Sequence, residues 1–210
     1  MPPNALLPET PTPLHEPSLL LRWLFEEPLV PMIVAGVLAL IVSQWLWRAG
    51  RLRAFAAALA AGLVVLAGLW LLASSVTTPR ERVIQSTRLL ARGTTAADGP
   101  AIDRLLADRC TLDNARGTLN LNKVAILLRV QATIGGPFRI SDWAIVQLQA
   151  HADETRGQSQ FLIRVTPEVT GVPNLSWWRV TWEKNEADDA APWRATLIEP
   201  LSGTPAEVLR

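Results

Sequence analysis

The sequence is short of the residues that usually staple or arm a small domain. Its 210 residues include one cysteine, Cys110, which excludes an intramolecular disulfide and a cysteine-based metal cluster. A lone cysteine beside an apolar run reads as a small core residue. No histidine stands near it in sequence to activate a thiolate. There are two histidines in all and no tyrosine. An excess of one charge is also lacking. The net charge is +1, and residues 77–210 hold 16 Lys or Arg against 15 Asp or Glu. A domain that neutralises phosphates carries a clear basic excess, so nucleic acid is not an expected partner. No cofactor is expected, and no metal. The acidic run Glu186, Asp188, Asp189 lacks the spacing of a calcium loop and reads as a solvated turn.

What the chain has in plenty is apolar surface. Hydrophobic residues make up 49% with only 6% aromatic, and the excess is concentrated between residues 29 and 76. Residues 29–47, LVPMIVAGVLALIVSQWLW, carry no charge, and neither do residues 54–73, AFAAALAAGLVVLAGLWLLA. At about 1.5 Å per residue, each run spans roughly the hydrocarbon thickness of a bilayer. Neither has a polar stripe of the sort a core helix shows. The expectation is a transmembrane hairpin over 29–76, with spans 29–47 and 54–75. Pro31 falls in the first turn, where a missing N–H is harmless. Trp23, Trp45, Trp47 and Trp70 flank the spans as interfacial anchors, and the short loop between them carries Arg48, Arg51 and Arg53. The positive-inside rule then puts that loop in the cytoplasm and the remainder of the chain on the non-cytoplasmic side of a bacterial cell membrane. Ala35, Ala39, Gly62 and Gly68 are small enough to let two helices approach. Residues 1–28 form a proline-rich tail with no signal-peptide pattern, in which 18–27, SLLLRWLFEE, reads as an interfacial helix. His15, in this tail, has no ligand partners in sequence.

Residues 77–210 read as one soluble domain. Thr77-Thr78-Pro79 is a helix start, and Val83, Ile84, Thr87, Leu90 and Ala91 form the stripe of a helix over 79–92. A second helix is expected over 100–108, a short strand over 110–112, and a third helix over 122–133 with Val124, Leu127, Leu128 and Val130 apolar. The period then changes from 3.6 to 2. Strands are expected over 138–152, 158–169, 175–184 and 193–199, with a hairpin turn at 153–157. On alternation, Ile140, Asp142, Ala144, Val146 and Leu148 share one face of the first strand, and Gln147, Gln149 and His151 the other. Phe161, Ile163 and Val165 point inward from the second strand, Trp178, Val180 and Trp182 from the third, and Trp193, Ala195 and Leu197 from the last. The fold class is α+β: two membrane helices, then three helices packed on a curved antiparallel sheet of four to five strands.

The segment TPRERVIQSTRLLARGTTAADGPAIDRLLADRCTLD, with its "LLAD–x–x–T" phrase, resembles the opening of the nuclear transport factor 2-like superfamily. That cone-shaped, SnoaL-like or cystatin-like fold includes polyketide cyclases and ketosteroid isomerases. The resemblance covers about residues 77–200 in element order and implies a pocket at the open end of a cone. Enzymes of this kind use a carboxylate or a His–Asp pair there, often with a tyrosine as oxyanion donor, and this chain has no tyrosine. Asp142 is the candidate general base, since its parity aims it at the cone's mouth, where burial would raise its pKa; alternatively it meets water or an arginine at the strand's start. Trp178, Trp182, Trp193 and Phe161 either line a pocket or fill a core. The leading expectation is a non-enzymatic binding or scaffold module at a lipid bilayer, taking a protein partner, a second copy of itself or a small apolar ligand. Membrane-anchored members of the superfamily in secretion machinery suggest this by analogy. The alternative is a membrane-tethered isomerase, dehydratase or cyclase that uses Asp142. A homodimer would use the outer sheet face, where Trp143, Ile145 and Trp177 are expected to be exposed.

Overall fold

The uncharged run that begins at Leu29 winds into helix α1 (Leu29–Arg48), and the run after it into α2 (Leu52–Ser75). A computed structural model describes residues 11, 12, 14, 29–75, 77–113, 120–186 and 192–202, with the backbone alone at 29–31 and 72–75. Trp23, His15, Asp188, Asp189 and the interfacial helix expected at 18–27 lie outside these. Gly50 closes α1 in the left-handed region (φ 69°). The Arg51 N–H then reaches back to the Leu46 carbonyl (3.1 Å) and the Gly50 N–H to that of Trp47 (3.0 Å). This double bond pattern satisfies the end of the helix and needs a residue without Cβ at the turn. The helices then return side by side. Trp47 meets Phe55 edge-on at 5.1 Å, and a Cβ on Gly62 would lie 2.9 Å from that of Ala39. The Gly62–Ala39 approach is therefore the close one, whereas Gly68 faces open space.

Among the described residues one helix is long and apolar enough to cross a membrane, over Leu52–Leu71, with a mean hydropathy of 2.3 and none of that stretch buried. The described side chains of α1, Met32–Arg48, form a shorter apolar helix. Two full-length spans were expected; among the described residues one helix meets the requirement and Met32–Arg48 falls short of it.

The second compact unit runs from Pro79 onward and includes Pro11, Thr12 and Leu14. Pro79 opens α3 (Pro79–Thr95), which buries Val83, Thr87, Leu90 and Ala91 of the expected stripe, with Ile84 partly buried beside them. It continues three residues past Arg92, since Gly93 packs on Ile102 and the Thr94 and Thr95 hydroxyls bond back to the Leu90 and Ala91 carbonyls. Asp98 caps α4 (Gly99–Leu105) by accepting from the Ala101 N–H at 3.1 Å. The chain then turns directly into β1 (Leu106–Asp113), so the strand claims residues expected to finish the helix. A short β2 (Asn120–Asn122) leads into α5 (Lys123–Thr133), capped by Asn122. Four longer strands follow: β3 (Ile140–Ala152), β4 (Arg156–Pro167), β5 (Asn174–Lys184) and β6 (Trp193–Ser202).

The sheet has six strands, in the order β2-β1-β6-β5-β4-β3. It is mixed rather than purely antiparallel, because β1 lies parallel to β6. The expected four to five strands omitted β2, whose three residues are too short to show a period.

Strand parity differs from simple alternation at several places, three of which redirect side chains singled out above. In β3, Ile140 faces Pro167 and Asp142 faces Thr166, so Ser141 is an extra residue; Ile145 faces Ile163 and Gln147 faces Leu162, so Val146 is another. In β6, Ala195 faces Trp182 and Leu197 faces Thr181, leaving Thr196 extra. Each such bulge inverts the faces beyond it. Consequently Trp143 and Ile145 pack on the core, Val146 is exposed, and Ile198 replaces Leu197 on the inner face. In α5 Ile126 is buried and Leu127 and Val130 pack against the core beside it, while Val124 and Leu128 are exposed. That helix is apolar nearly all round, so its period does not select a face.

Candidate functional site

Strands β4 and β5 run from a filled end of the cone to a hollow one. At the filled end, Trp182 and Trp193 are 0% and 1% exposed. Trp182 Nε1 donates to Ser159 Oγ (2.9 Å), Ser159 Oγ lies 2.8 Å from Thr87 Oγ1, and Thr87 Oγ1 donates to the Val83 carbonyl (2.8 Å). The chain of bonds satisfies every polar group it buries and pins α3 to the sheet. Gly157 lets them close: a Cβ there would lie 2.6 Å from Val83 Cγ2 and 3.4 Å from the Trp193 ring.

Further along the same strands the side chains stop meeting. A cavity of about 660 Å³ opens between α3, α5 and the sheet. Phe161, Ile163 and Val165 of β4, Trp178 and Val180 of β5, and Ile198 of β6 form its sheet wall. Leu90, Ala91 and Thr94 of α3 and Ile126, Val130 and Thr133 of α5 form its helical wall. Trp178 Nε1 donates to Ser176 Oγ at 2.8 Å, which satisfies the indole N–H. Among the described residues, the lining holds one charged group, Arg129 of α5, and no Asp, Glu, His, Cys or Lys. A volume of ~300–1,000 Å³ with mainly apolar walls and few polar groups is the usual form of a small-ligand pocket.

Of the residues singled out from the sequence, Phe161 and Trp178 line this cavity. Trp182 and Trp193 do not; they belong to the packed end, where Gly157 and Ser159 draw α3 against the sheet. Asp142 is also outside the lining. Its carboxylate is 60% exposed and accepts from Arg164 Nη2 at 2.9 Å. The bulge at Ser141 is the reason: it turns Asp142 to the outer face, opposite Trp143. His151 pairs with Gln158 in register on that outer face. Trp177 is on the outer face as well but is only 3% exposed, and Trp143 and Ile145 face inward, so the three do not form an exposed patch. Nearby, the Gln160 amide satisfies its neighbours in one orientation, its oxygen accepting from Arg179 (2.6 and 3.0 Å) and its nitrogen donating to the Thr12 carbonyl (3.1 Å). Trp45, Trp47 and Trp70 are exposed on the helical hairpin.

Cys110 and Lys123 also have perturbed environments, and neither lines the cavity. Burial pushes the Cys110 thiol up to about 12, only partly offset by the charge of Lys123. It therefore stays protonated and inert near neutrality. For Lys123, burial disfavours the charge, but Asp103 (3.0 Å) and Asp108 (3.2 Å) outweigh that and raise its pKa overall. Among the described residues no cluster of three or more His, Cys, Asp or Glu side chains forms a metal site.

Sequence reasoning passed over Arg129. Its signal was a single charge inside the apolar run VAILLRVQATI, on the same helical face as Ile126 and Val130.

No family model matches the chain, and no curated protein matches it. Solved structures do. A nuclear transport factor 2-like protein from Cytophaga hutchinsonii superposes with a TM-score of 0.50 at 11% identity, over 60% of this chain and 99% of that one. A nuclear transport factor 2-like protein of unknown function from Pseudomonas putida gives 0.50 at 16% identity, over 62% and 91%. At such identities the likeness shows the fold alone: the described residues from Pro79 onward adopt the nuclear transport factor 2-like fold.

Proposed function

We propose that this chain is a membrane-anchored, non-enzymatic binding module whose cone takes up a small apolar ligand. The observation that carries the reading is the cavity of about 660 Å³, whose described lining offers apolar walls and no acid–base pair or nucleophile. The anchor reading draws on α2, apolar over Leu52–Leu71 and unburied, and on the exposed Ile33, Val37, Leu40 and Ile41 of α1, surface that a water-soluble protein rarely leaves bare. Arg48, Arg51 and Arg53 at the turn favour a cytoplasmic loop and a cone on the opposite side of a bacterial cell membrane. Trp45, Trp47 and Trp70 would serve as interfacial anchors.

The test is binding of the neutral fluorophore N-phenylnaphthylamine to the full chain in lipid nanodiscs, with empty discs as background. Saturable binding that Val165→Trp abolishes, by filling the cavity from β4, is the expected result. Equal signals from both proteins and from empty discs would remove the reading.

A tethered isomerase, dehydratase or cyclase using Asp142 draws less support, because that carboxylate is solvated and paired with Arg164 outside the cavity lining. A homodimer through the outer sheet face lacks the exposed aromatic patch on which it was argued. A protein partner elsewhere on the cone has no specific observation in its favour.

A further inference from the structure

We infer that the hollow end of the cone takes an amphiphile with a single anionic head, of the fatty-acid class, and that Arg129 holds its carboxylate. The inference rests on the reading of the cavity as a ligand site and adds the chemistry of what enters it. Arg129 is the one charged group among the described residues of the lining. Among the described residues it makes no ion pair and no hydrogen bond. It is half-buried beside Ile126 and Val130, so its five N–H donors are only partly served by water. The guanidinium fork matches the two oxygens of a carboxylate, and such a charge-assisted pair is strongest where water is thin.

The rest of the cavity fits the other half of the molecule. Val165, Ile163, Phe161 and Val180 give an apolar track on the sheet. The indole N–H of Trp178, which would otherwise seek a polar group on the ligand, is already bonded to Ser176. One cation on the helical wall and an apolar sheet wall together describe a head-and-tail ligand. A purely apolar ligand would leave Arg129 unpaired on binding, and a cationic one would be repelled by it. No described acid in the lining competes for the guanidinium. A membrane anchor would give the cone continual access to amphiphiles of this kind.

The experiment compares dodecanoate with dodecanol as displacers of N-phenylnaphthylamine from the full chain in zwitterionic nanodiscs. The two ligands share a tail and differ in head, and partition into the lipid is common to all protein variants. Wild type should bind dodecanoate ~10- to 100-fold more tightly than it binds dodecanol, the range expected of a hydrogen-bonded charge. Arg129→Leu should erase that preference, and Arg129→Lys should keep part of it. Saturable N-phenylnaphthylamine binding by each variant shows that it is folded with its cavity open. Equal affinity of wild type for the two ligands would overturn the inference. So would a dodecanoate preference that survives in Arg129→Leu, or displacement by lysophosphatidylglycerol without displacement by dodecanoate. In each of these cases saturable probe binding blocked by Val165→Trp leaves the cavity reading standing; loss of probe binding itself is the failure of that earlier reading.

Discussion

The two ends of the cone are built from the same strands and differ in almost every other respect. At one end a glycine, a serine and a threonine bring α3 down onto β4, and two indoles fill what space remains. At the other end, a few residues along, β4 presents Phe161, Ile163 and Val165, which are no smaller, yet the helix stands away and a void opens. The contrast shows that large side chains on the sheet do not by themselves fill a cone. The decisive factor is how closely the helix approaches the sheet, which the small residues at one end permit.

If that account holds, substitutions of similar size should have unequal effects at the two ends. Trp182→Ala should produce the largest loss, ~3–5 kcal/mol, through a new cavity and the loss of the indole hydrogen bond to Ser159. Urea denaturation of the solubilised chain followed by near-ultraviolet circular dichroism would measure it. A loss under about 1 kcal/mol would break the comparison. Gly157→Ala should come next, at ~1–3 kcal/mol, because the added methyl drives into Val83. Trp178→Ala removes the same ring as the first change but from a wall already open to the cavity, so its cost should be well below that of Trp182→Ala, at about 1–2 kcal/mol. Parity of the two tryptophans would mean that the cavity wall is as tightly packed as the core.

The smallest expected effect lies in the turn that joins β3 and β4 beside the filled end. Backbone N–H groups of Arg156 (2.6 Å) and Thr155 (2.8 Å) donate to Asp153 and hold its carboxyl below the usual range. A lowered pKa in the folded state contributes stability above the unfolded pKa, and that contribution is lost as pH falls through the folded value. Asp153→Asn should therefore leave a shallower decline in stability on acidification, visible in melts taken across the acid range. An unchanged acid limb would show that the exposed turn adds nothing.

Much of this was legible beforehand, and the parts that were not have definite causes. The stripe of α3, the existence of α4 and α5 and the four long strands all follow from residue types and spacing over short stretches. Asp142 was misdirected because alternation was extended through Ser141, where the register of β3 slips against β4. A bulge depends on the partner strand as much as on its own residues, so one strand read alone conceals it. The roles of Trp182 and Trp178 could not be told apart, since both have the same parity and differ only in what α3 does above them. Arg129 was visible as an isolated charge, but its meaning required the cavity beside it.

The two slips in β3 also matter to the sheet as a whole. At thirteen residues β3 is its longest strand and forms one of its margins, next to β4 alone. A straight margin of that length would offer another molecule a row of backbone groups to zip onto, and sheets left in that state tend to grow from copy to copy. Interrupted at Ser141 and again at Val146, the margin presents no long register for a foreign strand. The irregularities that turn Asp142 outward thus also act as a guard against fibre formation.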